Sequence, residues 1–346
     1  MSLLEKLKAA GSIKVTTLAD SSLFNDKDLT PTAIPIINTA FSGRIDGGIV
    51  SGLTVAAGPS KHYKSLLGLI CISAYLNKHK DAVCLFYDSE FGISPEYIAS
   101  NGIDGNRVIH IPVMHLEELK FDIVKRLEQI ERGDKVFIFI DSLGNLASKK
   151  EVDDALEEKS VADMTRAKAG KSLFRMITPH LTTKDIPCFA ISHTYDTMEM
   201  FSKQVVSGGK GIYYSAQTIF IIGRSQEKVG TEVQGWNFTL NVEKSRFVKE
   251  KSKLVFQVMY DEGINPFSGL LDLALESGHV TKPKNAWFHR PGLDAENKNH
   301  REKDTNTEEF WAPIVNDETF KDFVKNKFML TTKRTMVEDL EEEETV

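Results

Sequence analysis

GPSKHYKS, residues 58–65, lies between a short apolar run, Leu53–Ala57, and a stretch with helical spacing, Lys64–Leu76. A strand that ends in a Gly-Pro turn and runs straight into a helix is the setting a phosphate-binding loop requires. The segment nearly fits G-x-x-x-x-G-K-[ST]. Gly58, Pro59, Ser60, Lys61, His62 and Tyr63 would form the turn, its backbone N–H groups converging on a β-phosphate. Lys64 would bridge the β- and γ-phosphates, and Ser65 would ligate Mg²⁺. One position departs from the pattern: Tyr63 stands where a second glycine is expected. A side chain forced to positive φ there costs roughly 1–2 kcal/mol, so the loop either avoids that conformation or absorbs the cost. Read alone, the segment fits equally well as a polar turn capping a helix.

The flanking sequence extends the pattern. Val83–Tyr87 and Val136–Ile140 are continuous apolar runs, as expected of strands buried on both faces of a parallel sheet. Leu116–Ile130 and Ala162–Leu181 have helical spacing, and Pro187–Ser192, Thr218–Ile222, Phe238–Val242 and Leu254–Tyr260 read as further strands. Alternation of this kind predicts an α/β domain with a mostly parallel, twisted sheet flanked by helices. The expected organisation is a short N-terminal arm over 1–30, a core over 31–265, a small C-terminal region over 266–336 and a disordered acidic tail over 337–346, with few strong signals over 261–330.

Composition bounds the function. With 27% charged and 41% hydrophobic residues the chain reads as an ordinary soluble domain. It has no signal-peptide pattern and no run long enough to span a bilayer, so a cytoplasmic protein without membrane contact is expected. Cys71, Cys84 and Cys188 form no CxxC pair and read as buried thiols. The formal net charge of −6 argues by itself against nucleic acid. However, Glu338, Asp339, Glu341, Glu342, Glu343 and Glu344 account for all of it, which leaves residues 1–337 neutral and free to carry local basic patches.

Several residues are placed to serve the loop. Asp141 ends the Val136–Ile140 run and would hold Mg²⁺ at the strand's C-terminal end; many buried strands also end in an aspartate that merely caps a helix. Glu90 follows a second strand and could orient a water, or be a solvent-facing acid. His193, after Pro187–Ser192, could contact a γ-phosphate or be a satisfied structural histidine. Thr194–Gly211 is a long, irregular stretch carrying Lys203, Gly208, Gly209 and Lys210; loops of this length in a compact domain are usually functional or disordered. Lys149, Lys150, Lys159, Arg166, Lys168 and Lys171 form a second basic cluster, which could be a solvated face or a DNA-contacting one.

Taken together and in order, GPSKHYKS, CLFYDSEFGISPEY, VFIFIDSLGNLASKKE, AISH and SGGKG resemble the RecA-type recombinases, nearest to the branch found in T-even-like phages. The resemblance covers roughly residues 30–330. It implies a RecA-like P-loop ATPase core using ATP and Mg²⁺, a helical homo-filament on single-stranded DNA, pairing with double-stranded DNA and strand exchange. A recombination mediator and a single-stranded-DNA-binding protein are implied partners. Residue by residue, Gly58, Lys64 and Ser65 match the phosphate-binding positions, Asp141 the metal acid, Glu90 the catalytic glutamate and Tyr97 the aromatic that stacks on adenine. His193 matches the sensor, where RecA itself has glutamine. Lys149 to about Lys168 corresponds to a first DNA loop and Thr194–Gly211 to a second. Lys244 and Arg246, in VEKSR, match residues that reach ATP bound to the neighbouring subunit. The arm, with Phe24 as an anchor, is expected to pack on the next subunit, and the tail to compete with DNA for the basic loops. Two rivals remain: a hexameric helicase on the same core, for which residues 1–30 are too short to make the usual N-terminal domain, and a nucleotide-gated scaffold without catalysis, against which Glu90 and Asp141 argue.

Overall fold

The computed structural model of the protein describes residues 1–13, 15–21, 28–157, 165–197 and 204–330. After α1 (Leu3–Ala10), a capped helix with no buried residue, the chain enters the core through α2 (Pro35–Ser42). It then alternates: β1 (Gly52–Ala57), α3 (Lys64–Lys78), β2 (Val83–Asp88), α4 (Pro95–Ser100), β3 (Val108–Pro112), α5 (Leu116–Gln129), β4 (Val136–Asp141), α6 (Lys149–Leu156), α7 (Thr165–Thr183) and β5 (Pro187–Ser192). A short hairpin, β6 (Thr194–Asp196) and β7 (Gln204–Val206), leads to α8 (Lys210–Ser215). Long strands follow: β8 (Thr218–Val229), β9 (Glu232–Ser245) and β10 (Lys253–Met259), then β11 (Gly263–Asn265).

These strands form one nine-stranded sheet ordered β11-β10-β9-β8-β1-β5-β4-β2-β3. From β8 to β3 every pairing is parallel; from β8 to β11 every pairing is antiparallel. Strand periodicity explains how both faces fill. In β4, Phe137 and Phe139 face one core while Ile138 and Ile140 face the other, and all four are essentially inaccessible. The first core is covered by α2 and α3. Gly68 is obligatory there, since a Cβ at that position would lie 2.3 Å from the Phe139 ring. The second is covered by α5, α7 and α8; Leu119, Ile123 and Leu127 of α5 recur every fourth residue and are buried.

The structure departs from the sequence reading in several places, among them α2 and β3, where no element was expected. Thr194–Gly211 is not irregular throughout, because β6 and β7 pair Thr194 with Val206 and Asp196 with Gln204. The strands expected at Thr218–Ile222 and Phe238–Val242 run on to Val229 and back to Glu232 as one long ribbon. Residues 266–330, expected to give few signals, form α9 (Leu270–Glu276), a small sheet of β12 (Thr281–Lys284), β13 (Trp287–His289) and β14 (His300–Arg301), and then α10 (Glu308–Val315) and α11 (Glu318–Phe328). Phe310, Trp311, Phe320 and Val324 from this region join the same apolar cluster as α2 and α3. Cys71, Cys84 and Cys188 are buried free thiols, and burial pushes each well above its ordinary pKa. No helix among the described residues is long and apolar enough to cross a membrane.

Candidate nucleotide site and nucleic-acid face

The C-terminal ends of β1, β2, β4 and β5 point to one edge of the sheet, where ligands bind in open α/β folds. A cleft there of about 230 Å³ is lined by residues 61–66, Glu90, Tyr97, Asp141 and Ile191. The loop after β1 takes the conformation that its sequence makes expensive. Tyr63 is left-handed (φ 51°, ψ 30°), and Lys61 also has positive φ (61°). The Tyr63 ring packs on Phe238 of β9 with centroids 4.7 Å apart. A contact of this type contributes roughly 0.5–1.5 kcal/mol beyond burial and offsets much of the backbone cost. Gly58 and Pro59 contribute carbonyls that accept from the Lys64 ammonium at 3.0 and 2.8 Å. Within the turn, His62 Nδ1 meets the Ser60 carbonyl at 2.9 Å. Burial lowers the Lys64 pKa, with Glu90 and Asp141 opposing the shift by their charge.

Ser65 Oγ donates to Asp141 Oδ2 at 2.7 Å, bridging 76 residues of sequence. Asp141 Oδ1 is buried without a hydrogen-bond partner. Burial raises the Asp141 carboxyl to about 7, assisted by the charges of Glu90 and Asp88 and opposed by Ser65 and Lys64. A hydroxyl paired with an acid that has an orphaned oxygen suits a hard divalent cation, which keeps most of its other ligands as phosphate oxygens and water. Among the described residues no group of three or more His, Cys, Asp or Glu side chains that could hold a metal occurs.

Glu90 is exposed at the cleft mouth, and Ser142 Oγ donates to its Oε1 at 2.6 Å. Its loop is shaped by Asp88, whose Oδ1 accepts the N–H groups of Glu90 and Phe91. His193 Nε2 sits 3.6 Å from Glu90 Oε1 and 3.3 Å from Asn145 Oδ1. Burial depresses the imidazole pKa, Lys64 adds to this, and Glu90 opposes it. Gly144 allows the approach, since a Cβ there would meet His193 Cδ2 at 2.1 Å. Tyr97 opens onto the same cleft from α4, which Ser94 caps by accepting the Tyr97 N–H.

The remaining candidates divide. Arg166 donates to the carbonyls of Leu143, Gly144 and Leu146, tying the start of α7 to the turn after β4. It shares a cleft of about 320 Å³ with Gly208 and Gly209, so the roots of both candidate DNA segments meet there. Lys149 and Lys150 begin α6, with Lys150 3.6 Å from Asp154; Lys168 is exposed on α7 and Lys210 begins α8. Lys244 does not point outward: its ammonium donates to the Tyr213 and Ala216 carbonyls at the end of α8. Arg246, two residues on, is exposed. Lys203, Lys159, Phe24 and the acidic tail lie outside the described residues. Sequence reading missed Ser142, Asn145 and Asp88 as supports of Glu90 and His193. Their only signal was adjacency to strand ends.

Comparison with known proteins now bears on this geometry. Residues 4–265 match the RecA N-terminal domain family. The chain belongs to the RecA family. Within it, residues 267–324 match the C-terminal domain of the bacteriophage T4 recombination and repair protein. The recombination and repair protein of Enterobacteria phage T4 is 56% identical over 331 residues, covering 94% of this chain and 85% of that protein. The RecA proteins of Chlorobaculum tepidum (26% identical, 70% of this chain and 69% of that protein) and Clostridioides difficile (25%, 82% of each) are more distant relatives. This RecA-family chain is a recombinase, and its large, mostly parallel sheet flanked by helices is the RecA-like core.

Proposed function

We propose that the protein is an ATP-dependent DNA recombinase that forms helical filaments on single-stranded DNA and catalyses pairing and strand exchange with a homologous duplex. The Ser65–Asp141 contact inside the cleft, with Glu90 at its mouth, carries this reading. Lys64 and the amides of residues 58–63 would hold the phosphates, and Ser65 with Asp141 would hold Mg²⁺, which would supply positive charge against the phosphates. Tyr97 would stack on the base. Glu90, steadied by Ser142, would orient the attacking water, and His193 would sense the γ-phosphate and pass its state to Asn145 and the turn that Arg166 holds.

Of the two cations assigned to the neighbouring subunit's nucleotide, Arg246 is the better placed, because it is exposed. The Lys244 ammonium would first have to leave the α8 carbonyls. Its present contacts suit it to couple α8, the root of one DNA segment, to the subunit interface. Arg246→Ala should reduce DNA-stimulated turnover about 10- to 100-fold and impair filament assembly, with an unchanged melting temperature. A full rate from isolated monomers without DNA would exclude a shared site.

DNA contacts through Lys149, Lys150, Lys168, Lys210 and the amides of Gly208 and Gly209 would be mostly to the backbone, hence sequence-tolerant and salt-sensitive. The segments 1–30, 31–265, 266–336 and 337–346 are proposed as arm, core, C-terminal region and acidic tail. A mediator, a single-stranded-DNA-binding protein and the host cytoplasm complete the proposal. Incubating the protein with ATP, Mg²⁺, a circular single strand and its homologous linear duplex should yield heteroduplex. A helicase would instead unwind without homology, and a scaffold would yield neither product.

A further inference from the structure

The phosphate loop holds two non-glycine residues, Lys61 and Tyr63, at positive φ. A side chain at positive φ carries a backbone penalty that glycine avoids, and relaxation of either would re-aim the amides that the loop must present. Something outside the loop should therefore hold it. The antiparallel half of the sheet reaches it at two points. The Tyr63 ring packs on Phe238 of β9, which itself stacks on Phe256 of β10 at 5.4 Å. Arg224 of β8 donates from Nη1 to the Lys61 carbonyl at 2.9 Å, across 163 residues of sequence. Arg224 and Phe238 are direct partners in the β8–β9 register, so one rung of the ladder supplies both contacts.

Arg224 is itself held in place. Its guanidinium carbon lies 3.9 Å from the Trp236 ring centroid, and Trp236 Nε1 donates to the Tyr260 hydroxyl at 2.8 Å. Arg224 is exposed, so it does not serve core packing. An arginine suits the task because its planar fork can stack on an aromatic face while still donating in plane, which a lysine cannot do.

We propose that Arg224 is a positioning residue for the phosphate loop, replacing the conformational ease of the missing glycine with an external clamp from the antiparallel strands. In a trans peptide the C=O and the following N–H point in opposite directions. Holding the Lys61 carbonyl on Arg224 therefore turns the His62 N–H away from Arg224, toward the cleft that His62 lines. The ligand is the β-phosphate of a nucleoside di- or triphosphate, and the inference rests on the phosphate-loop reading above.

The test is calorimetric titration of the full chain with Mg²⁺–ADP, paired with ATPase kinetics. Arg224→Gln should weaken ADP binding about tenfold and raise KM for ATP similarly, with kcat lowered less than threefold and the melting temperature of the nucleotide-free protein unchanged. Arg224→Lys should fall between the two, and Trp236→Leu should reproduce the binding loss in milder form. Parent-like ADP affinity in Arg224→Gln, beside lost binding in Lys64→Ala, would overturn the clamp and leave the phosphate loop standing. Parent-like affinity in Lys64→Ala as well would overturn the phosphate-loop reading itself. A lowered melting temperature with an unchanged KM would assign Arg224 to folding instead.

Discussion

Lys64→Ala should lower ATP turnover in the presence of single-stranded DNA by about 10³-fold, and with it strand exchange. The size follows from where the ammonium sits. Lys64 is buried at the base of the cleft and its ammonium is held there by the carbonyls of Gly58 and Pro59, so the charge is already in place within the loop. Its pKa is lowered chiefly by burial, which means that the charge is under-solvated and gains from an anionic ligand. Truncation removes that charge and leaves two carbonyls without their donor, at a stability cost of about 1–3 kcal/mol. Thermal unfolding without nucleotide separates this cost from the loss of chemistry: a modest drop in melting temperature accompanies lost turnover. Retained turnover in a folded variant would remove the assignment of residues 58–65 as a phosphate loop.

The strands most plainly legible in the sequence are those buried on both faces. VFIFID and VCLFYD are continuous apolar runs because α3 lies on one side of them and α5 and α7 on the other. The edge strand β3, VIHIP, has Ile109 and His110 exposed and so carries no such signature. The extensions of β8 and β9 failed for the same reason. Beyond Ile222, Arg224, Ser225, Gln226 and Lys228 of β8 are exposed and Gly223 and Glu227 only half-buried, so the stretch looks like a loop although its ladder continues to Val229 and Glu232. In the site, Ser65 and Asp141 could be paired on motif spacing. Arg224, Ser142 and Asn145 could not, because their contacts depend on β8 lying beside β1, β4 beside β2 and β5 beside β4, and strand order is a property of the whole chain. Tyr63 shows the same dependence. From sequence it was a steric objection, and only the register that sets Phe238 beside the loop shows how the side chain is tolerated.

Glu90→Gln should separate binding from hydrolysis. Turnover should fall about 10³-fold, within the 10²–10⁴ range for a lost proton-accepting group, while affinity for Mg²⁺–ATP stays within about threefold. The geometry accounts for the split. Glu90 lies at the mouth of the cleft, and its carboxylate accepts from Ser142 Oγ instead of from any residue of the phosphate loop. Asp88 holds the Glu90 amide independently of the side chain, so the amide analogue should keep the loop in place. Glutamine preserves size and can still meet Ser142, but it cannot take a proton from water. Because binding survives without turnover, the variant should form filaments on single-stranded DNA that persist in ATP where the parent's disassemble. Filament lifetime after dilution, read by light scattering or electron microscopy, is the decisive measurement. Short-lived filaments with normal phosphate release would show that another group orients the water, and His193, 3.6 Å from the Glu90 carboxylate, is then the side chain to replace next.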